Sequence, residues 1–171
     1  MALALHDAKG QAIGVDPWTK RTLSAVHEAA ELVDTPPSEL HPGEFSPRAK
    51  KTLSALRGVK VTEIAGTRLS SQGFGGIWGV GKAAANPPRL VVAQYTPRGA
   101  SVHVALVGKG VTYDTGGLHL KPRGFMEGMK MDMGGAAAVF GAFRVLVENK
   151  VKVRVSLLLC LAENAIGPDA Y

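Results

Sequence analysis

Residues 107–135 read V-G-K-G-V-T-Y-D-T-G-G-L-H-L-K-P-R-G-F-M-E-G-M-K-M-D-M-G-G. The segment leaves an apolar, β-branched run, S-V-H-V-A-L-V at residues 101–107. It ends in an apolar run from Gly134 to Lys150 that is too long for a strand and has the composition of a buried helix. Residues 151–161 are β-branched and leucine-rich and form the next strand, expected to be buried on both faces. Strand, helix, strand in this order makes a crossover unit whose two strands run parallel, with right-handed connection. The fold class is therefore α/β: a mixed, mainly parallel central sheet with helices on both faces, incomplete at its C-terminal side. In such sheets functional groups gather at the carboxyl ends of the strands.

Working outward, residues 1–15 have no clear periodicity and read as an N-terminal arm or remnant. Asp16-Pro17 pairs an N-cap with a proline at the first helical position. Leu23, Val26, Ala30 and Val33 then mark the stripe of an amphipathic helix that Thr35-Pro36-Pro37 stops. Ser46-Pro47 repeats the cap, and Ala49, Leu53 and Leu56 predict a second helix ending at Gly58. Val59, Val61 and Ile64 predict a strand, followed by a helical turn at Arg68 and Leu69. Residues 89–95 and 101–107 are strands separated by Pro97-Arg98-Gly99, a spacing that predicts an antiparallel hairpin.

Composition narrows the function classes. The 171 residues are 46% hydrophobic and 20% charged, in the range of a folded domain with a real core. Net charge is +6, but lysines and arginines are dispersed, and only Arg48, Lys50 and Lys51 cluster, on an expected solvated helix face. Without aromatic interleaving or a recognition motif, nucleic acid is not an expected partner. No apolar run reaches the roughly 18–20 residues that span a bilayer, so no membrane role is expected. The single cysteine, Cys160, fits a reducing cytoplasm and an expected role as a small buried apolar residue.

One phosphate-loop mimic is set aside. G-I-W-G-V-G-K-A, residues 76–83, has Ala83 where a magnesium-holding hydroxyl is required, and lacks a following long helix. Its glycines read instead as points of close backbone approach. The informative groups are Lys109, Asp114, Lys121 and Asp132. Lys109 is expected at the carboxyl end of a strand, Asp114 lies just before Gly116-Gly117, and Asp132 precedes Gly134-Gly135. Singly, each is explained as a turn residue, a cap or an exposed charge. Together, at a strand end between glycine pairs, they form a candidate site.

The chain resembles the catalytic domain of the leucine (cytosol) aminopeptidase family over roughly residues 18–171. The likeness rests on Leu32-Val33-Asp34-Thr35-Pro36-Pro37, residues 76–82 with Pro87-Pro88-Arg89-Leu90, residues 107–135, and Ala162-Glu163-Asn164, in the family's order. It departs at Asp34, where asparagine is usual, and at Ala83, often serine in the family. The resemblance implies metal ligands at Lys109, Asp114 and Asp132, with Asp114 bridging two divalent ions (manganese or zinc, or magnesium). It implies that Lys121 polarises the scissile carbonyl and that Met129 lines the pocket for the substrate's first side chain. A lysine ligates only as the neutral amine, which two nearby dications would favour.

The resemblance further implies peptide substrates, a cytoplasmic enzyme and a homo-oligomer, hexameric in the family. The family's second motif, N-T-D-A-E-G-R, with further ligands and an arginine, does not occur in the sequence. Residues 16–171 are accordingly expected to be the N-terminal portion of a catalytic domain, truncated and inactive alone. The alternative is a non-catalytic relative serving as an interaction module.

Overall fold

A computed structural model describes residues 5–170. Within the stretch expected to be an arm, β1 (Leu5–His6) and β2 (Ala12–Ile13) form an exposed antiparallel hairpin. Asp7 Oδ1 organises its turn by accepting from the N–H groups of Lys9 and Gln11. Helix α1 (Pro17–Asp34) starts where the sequence predicts, with Asp16 accepting from the Thr19 N–H.

The predicted stripe of α1 is corrected. Leu23 and Val26 are 60% and 61% exposed, whereas Ala25 and Leu32 are buried. The reason is the partner: α1 lies against a later helix through small residues, where a Cβ on Gly141 would come 3.1 Å from the Ala25 carbonyl oxygen. Close approach selects alanine and glycine over the bulkier pair next to them.

Helix α2 (Pro42–Ser54) also differs from expectation. Its N-cap is His41, whose Nδ1 accepts from the Gly43 N–H at 3.1 Å, and Pro42 opens the helix. Pro47 therefore lies inside, costing one ladder bond. Ala49 and Leu53 are buried as predicted, and Leu56 is half-buried beyond the helix end. The basic cluster is not simply solvated: Arg48 pairs with Glu31 and Lys50 with Glu63.

Strand β3 (Val59–Ala65), helix α3 (Thr67–Ser71) and strand β4 (Arg89–Tyr95) fall where predicted. The glycine-rich segment between them forms helix α4 (Gly75–Gly81), so no phosphate loop exists there. Close approach is realised at Gly81, where a Cβ would lie 2.7 Å from Pro88 Cβ. It is not realised at Gly75, Gly76 or Gly79, which have open space around them.

Strand β5 (His103–Asp114), helix α5 (Gly134–Glu148) and strand β6 (Arg154–Asn164) make the crossover unit, with β5 and β6 parallel. The sheet order is β3-β4-β6-β5. Both remaining pairs, β3 with β4 and β4 with β6, are antiparallel, so the sheet is mixed with one parallel pair rather than mainly parallel. The expected β4–β5 hairpin does not form, because β6 inserts between them. The short turn misled: from Val155 to Leu161 β6 offers β4 a partner that is apolar except at Ser156, which falls opposite Gln94.

Val91, Ala93 and Tyr95 of β4 and Val155, Leu157, Leu159 and Leu161 of β6 face α1, α2 and α5 in one core with Phe45, Phe140 and Phe143. Helix α4 covers only part of the opposite face, so Leu158 and Cys160 are half-buried and Val107 is 61% exposed. Burial of β6 is thus complete on one face and partial on the other, and burial pushes the Cys160 thiol up.

Glu63 ties α2 to the sheet. It accepts from Ser46 Oγ (2.5 Å), Lys50 Nζ (2.6 Å) and Arg89 Nη1 (2.9 Å). Burial opposes its charge, but these three donors outweigh burial and hold the carboxyl at about 2, against an ordinary 4.5. A depressed carboxylate stabilises the fold fully above its unfolded value and ceases to do so as pH falls through its folded value. Thermal melts should therefore show a stability loss between pH 4.5 and about 2 that Glu63→Gln greatly reduces. An unchanged acid slope in that variant would remove Glu63 as its source.

Helix α5 rests directly on β5 at Gly108, where a Cβ would lie 2.5 Å from Ala136 Cα and 2.6 Å from Val139 Cγ2. Gly108→Ala should cost about 1–3 kcal/mol by overpacking. Gly79→Ala, in open space within α4, should be neutral or gain up to about 1 kcal/mol. Urea midpoints measure both, and equal midpoints would contradict the close packing.

Candidate active site

Strand β5 continues past the predicted boundary at residue 107 because its parallel register with β6 runs on to Val111 and resumes at Asp114 opposite Asn164. Lys109 consequently sits within the strand, opposite Cys160, and Asp114 at its end. The loop after Asp114 turns back on Gly116 and Gly117, both at positive φ (+90° and +68°). It returns Lys121 to the strand end. A 3-10 turn, Met129–Met131, then delivers Asp132 to the start of α5.

All four expected charged residues are brought together as two ion pairs. Lys109 Nζ donates to Asp132 Oδ1 at 2.8 Å, and Lys121 Nζ donates to Asp114 Oδ2 at 2.9 Å. Asp114 Oδ1 accepts from the Gly116 N–H at 3.0 Å. Burial pushes the Asp114 carboxyl up. The Lys121 hydrogen bond, the Gly116 N–H and the charges of Lys121 and Lys109 outweigh it and hold the carboxyl below its ordinary value.

Asp132 Oδ2 is buried and takes no hydrogen bond, although the Lys109 ammonium lies 2.6 Å away. The ammonium straddles the carboxylate, 2.8 Å from Oδ1 and 2.6 Å from Oδ2, and no other donor reaches Oδ2. A buried carboxylate oxygen whose sole close partner is one ammonium would suit a metal cation in that ammonium's place.

The donor chemistry, two carboxylates and one amine, suits a hard or borderline divalent ion. The donor count suits part of one ion's coordination, since among the described residues no three His, Cys, Asp or Glu side chains converge. Beside Lys109 an apolar groove of about 460 Å³ is lined by Ile77 and Val80 of α4, Val107, Val111, Cys160 and Ala162. Met129 is half-buried three residues before Asp132 and does not line this groove.

Sequence reasoning did not single out Thr115 or Asn164, which hydrogen-bond each other beside Asp114. Nor did it assign a task to Glu163, which accepts from Asn86 Nδ2 at 2.8 Å. The signal was present in Ala162-Glu163-Asn164 at a strand's carboxyl end.

Residues 27–171 match the model of the cytosol aminopeptidase family, catalytic domain. The chain belongs to the cytosol aminopeptidase family. The human probable aminopeptidase NPEPL1 is 48% identical over 145 residues, covering 85% of this chain and 28% of that protein. Among solved structures, leucyl aminopeptidase from Trypanosoma brucei in complex with bestatin superposes with a TM-score of 0.86 at 45% identity. That match covers 94% of this chain and 31% of the trypanosomal one. The bottromycin maturation enzyme BotP in complex with manganese matches with a TM-score of 0.81 at 37% identity, over 94% of this chain and 35% of BotP. This cytosol aminopeptidase-family chain thus spans about a third or less of the proteins it resembles. Among the described residues no helix is long and apolar enough to cross a membrane.

If the Lys121 ammonium holds Asp114 ionised, Lys121→Met should raise the pH at which the Asp114 carboxyl titrates, because burial remains and its opponent is gone. Carbon-detected NMR of the carboxyl carbon measures this. An unmoved midpoint would show that the pair does not form in solution.

Proposed function

We propose that residues 16–171 are the N-terminal portion of a metallo-aminopeptidase catalytic domain that releases leucine-type N-terminal residues from peptides. The observation carrying this reading is the convergence of Lys109, Asp114, Lys121 and Asp132 at one strand end in a chain of this family. Bestatin on the trypanosomal relative supports a peptide-like substrate, and manganese in BotP supports a divalent ion. A cytoplasmic setting and a homo-oligomer, hexameric as in the family, belong to the same reading.

Asp114, Asp132 and the neutral amine of Lys109 would hold divalent metal, manganese or zinc by their donor chemistry. Two such ions would supply an activated water and Lewis-acid polarisation of the peptide carbonyl. The residues' own tasks follow from their chemistry. Lys109 must release its proton to ligate. A charged Lys121 would face negative charge developing on the carbonyl oxygen, an electrostatic role requiring a fixed cation. Asp114 orients Lys121 through the 2.9 Å bond. Met129, close in sequence to Asp132, would contribute to the first side-chain pocket.

Two carboxylates and one amine are too few donors for two ions at ordinary affinity, so this chain alone is expected to bind one ion weakly and to turn over no substrate. The second reading, a non-catalytic interaction module, draws on the partly bare sheet face at Val107 and Leu158. Four polar groups kept together, at a desolvation cost, favour the first.

Manganese titration followed by electron paramagnetic resonance tests the proposal. Binding should be present in the unaltered chain, abolished by Asp132→Ala and retained by Lys121→Met. Leucine-anilide hydrolysis should be undetectable. No manganese binding would overturn the metal role, and turnover lost on Lys121→Ala would overturn the expected inactivity.

A further inference from the structure

Ala162-Glu163-Asn164, at the carboxyl end of β6, has no role in the charged quartet, yet its side chains and backbone hold the segments around it. Glu163 grips Asn86, and Asn164 Nδ2 donates to the carbonyl of Val80 at the end of α4, at 3.1 Å. The Asn164 backbone carbonyl accepts twice from Thr115, from Oγ1 at 2.9 Å and from the N–H at 3.4 Å.

Thr115 is fully committed at this point. Its hydroxyl oxygen also accepts from the Gly117 N–H at 3.2 Å, and its carbonyl accepts from the Lys121 N–H at 2.9 Å. The last bond closes the neck of the loop between Asp114 and Lys121. Inside the loop there is no slack: a Cβ at Gly116 would lie 2.3 Å from the His119 carbonyl oxygen. The backbone at Lys121 is therefore fixed by Thr115, and Thr115 by β6, before the Lys121 side chain reaches Asp114.

We infer that Thr115 is a positioning residue that sets the Lys121 ammonium against the Asp114 carboxylate, by pinning the loop neck to the backbone at the end of β6. The consequence for catalysis rests on the function proposed above, whereas the positioning itself does not. The competing arrangement is that the Lys121–Asp114 ion pair alone holds the loop. That half-buried pair is a single contact between two side chains, while the neck uses four hydrogen bonds, two of them to the end of β6.

Amide hydrogen exchange on the metal-free full chain separates the two. The Lys121 and Gly117 amides should be protected in the unaltered protein. Thr115→Val, which keeps the shape and removes the hydroxyl, should speed their exchange roughly tenfold, the value of about one hydrogen bond. Thr115→Ser should restore protection, and amides in the β4–β6 pairing should be unaffected throughout. Lys121→Met, which removes only the ion pair, should leave both amides protected.

Protection unchanged in Thr115→Val, or not restored by Thr115→Ser, would overturn the inference. If Thr115→Val does not fold, Lys121→Met decides: loss of protection with Thr115 intact overturns the inference, and retained protection supports it. Manganese binding by the unaltered chain in the same samples tests the metal reading independently of this result.

Discussion

Helix α5 meets strand β5 at a place where there is no room for a side chain: a Cβ on Gly108 would lie 2.5 Å from the Ala136 backbone. Gly135, the residue before Ala136, repeats the approach: a Cβ there would lie 3.3 Å from the backbone of Lys109. This contact determines where the helix begins relative to the strand, and Asp132 stands two residues before that beginning. The Lys109–Asp132 pair is therefore a consequence of backbone packing rather than of attraction between two flexible side chains. An ion pair at a half-exposed position has too little energy to dictate the placement of a 15-residue helix. A steric limit in a close-packed interior has enough.

The second pair is fixed differently. Asp114 and Lys121 belong to one loop, and their approach depends on the local chemistry of a turn with two left-handed glycines. The site thus combines a long-range contact set by the core with a short-range contact set by the loop. The two pairs leave the site neutral overall, with one buried Asp132 oxygen lacking a directed donor. On the function proposed above, such an arrangement would accept a cation at the cost of displacing a lysine proton. The charged groups are costly to desolvate, and their pairing is what makes their partial burial tolerable.

Much of the fold was legible from local signals. Asp16-Pro17, the alternation at Val59 and Val61, and the length of the apolar run from Gly134 each describe an element without knowledge of its neighbours. Two of the three failures share one cause, a packing partner distant in sequence, and the third is a competing local cap. Leu23 and Val26 are apolar at helical spacing but lie outside, because α5 approaches α1 through Gly141 and selects the alanine face. His41-Pro42 overrode Ser46-Pro47 as the start of α2, since an earlier cap with a proline at the first position served as well. The β4–β5 hairpin failed because strand order depends on competition among partners distant in sequence, and β6 was the better partner.

The amino-acid sequence by itself determined the family, the element types and the identities of the four charged groups, because glycine pairs, strand-sized apolar runs and residue chemistry are local properties. Tertiary structure alone decided which lysine meets which aspartate, since Lys109 and Asp132 are 23 positions apart and meet only through the α5–β5 packing. It also decided that β5 runs on to Asp114 and that the Asn164 carbonyl holds Thr115 beside it, because a parallel register is settled by the whole crossover unit. Hydrogen bonds across such distances have no signature in composition or periodicity; they exist only once the backbone has been packed into place.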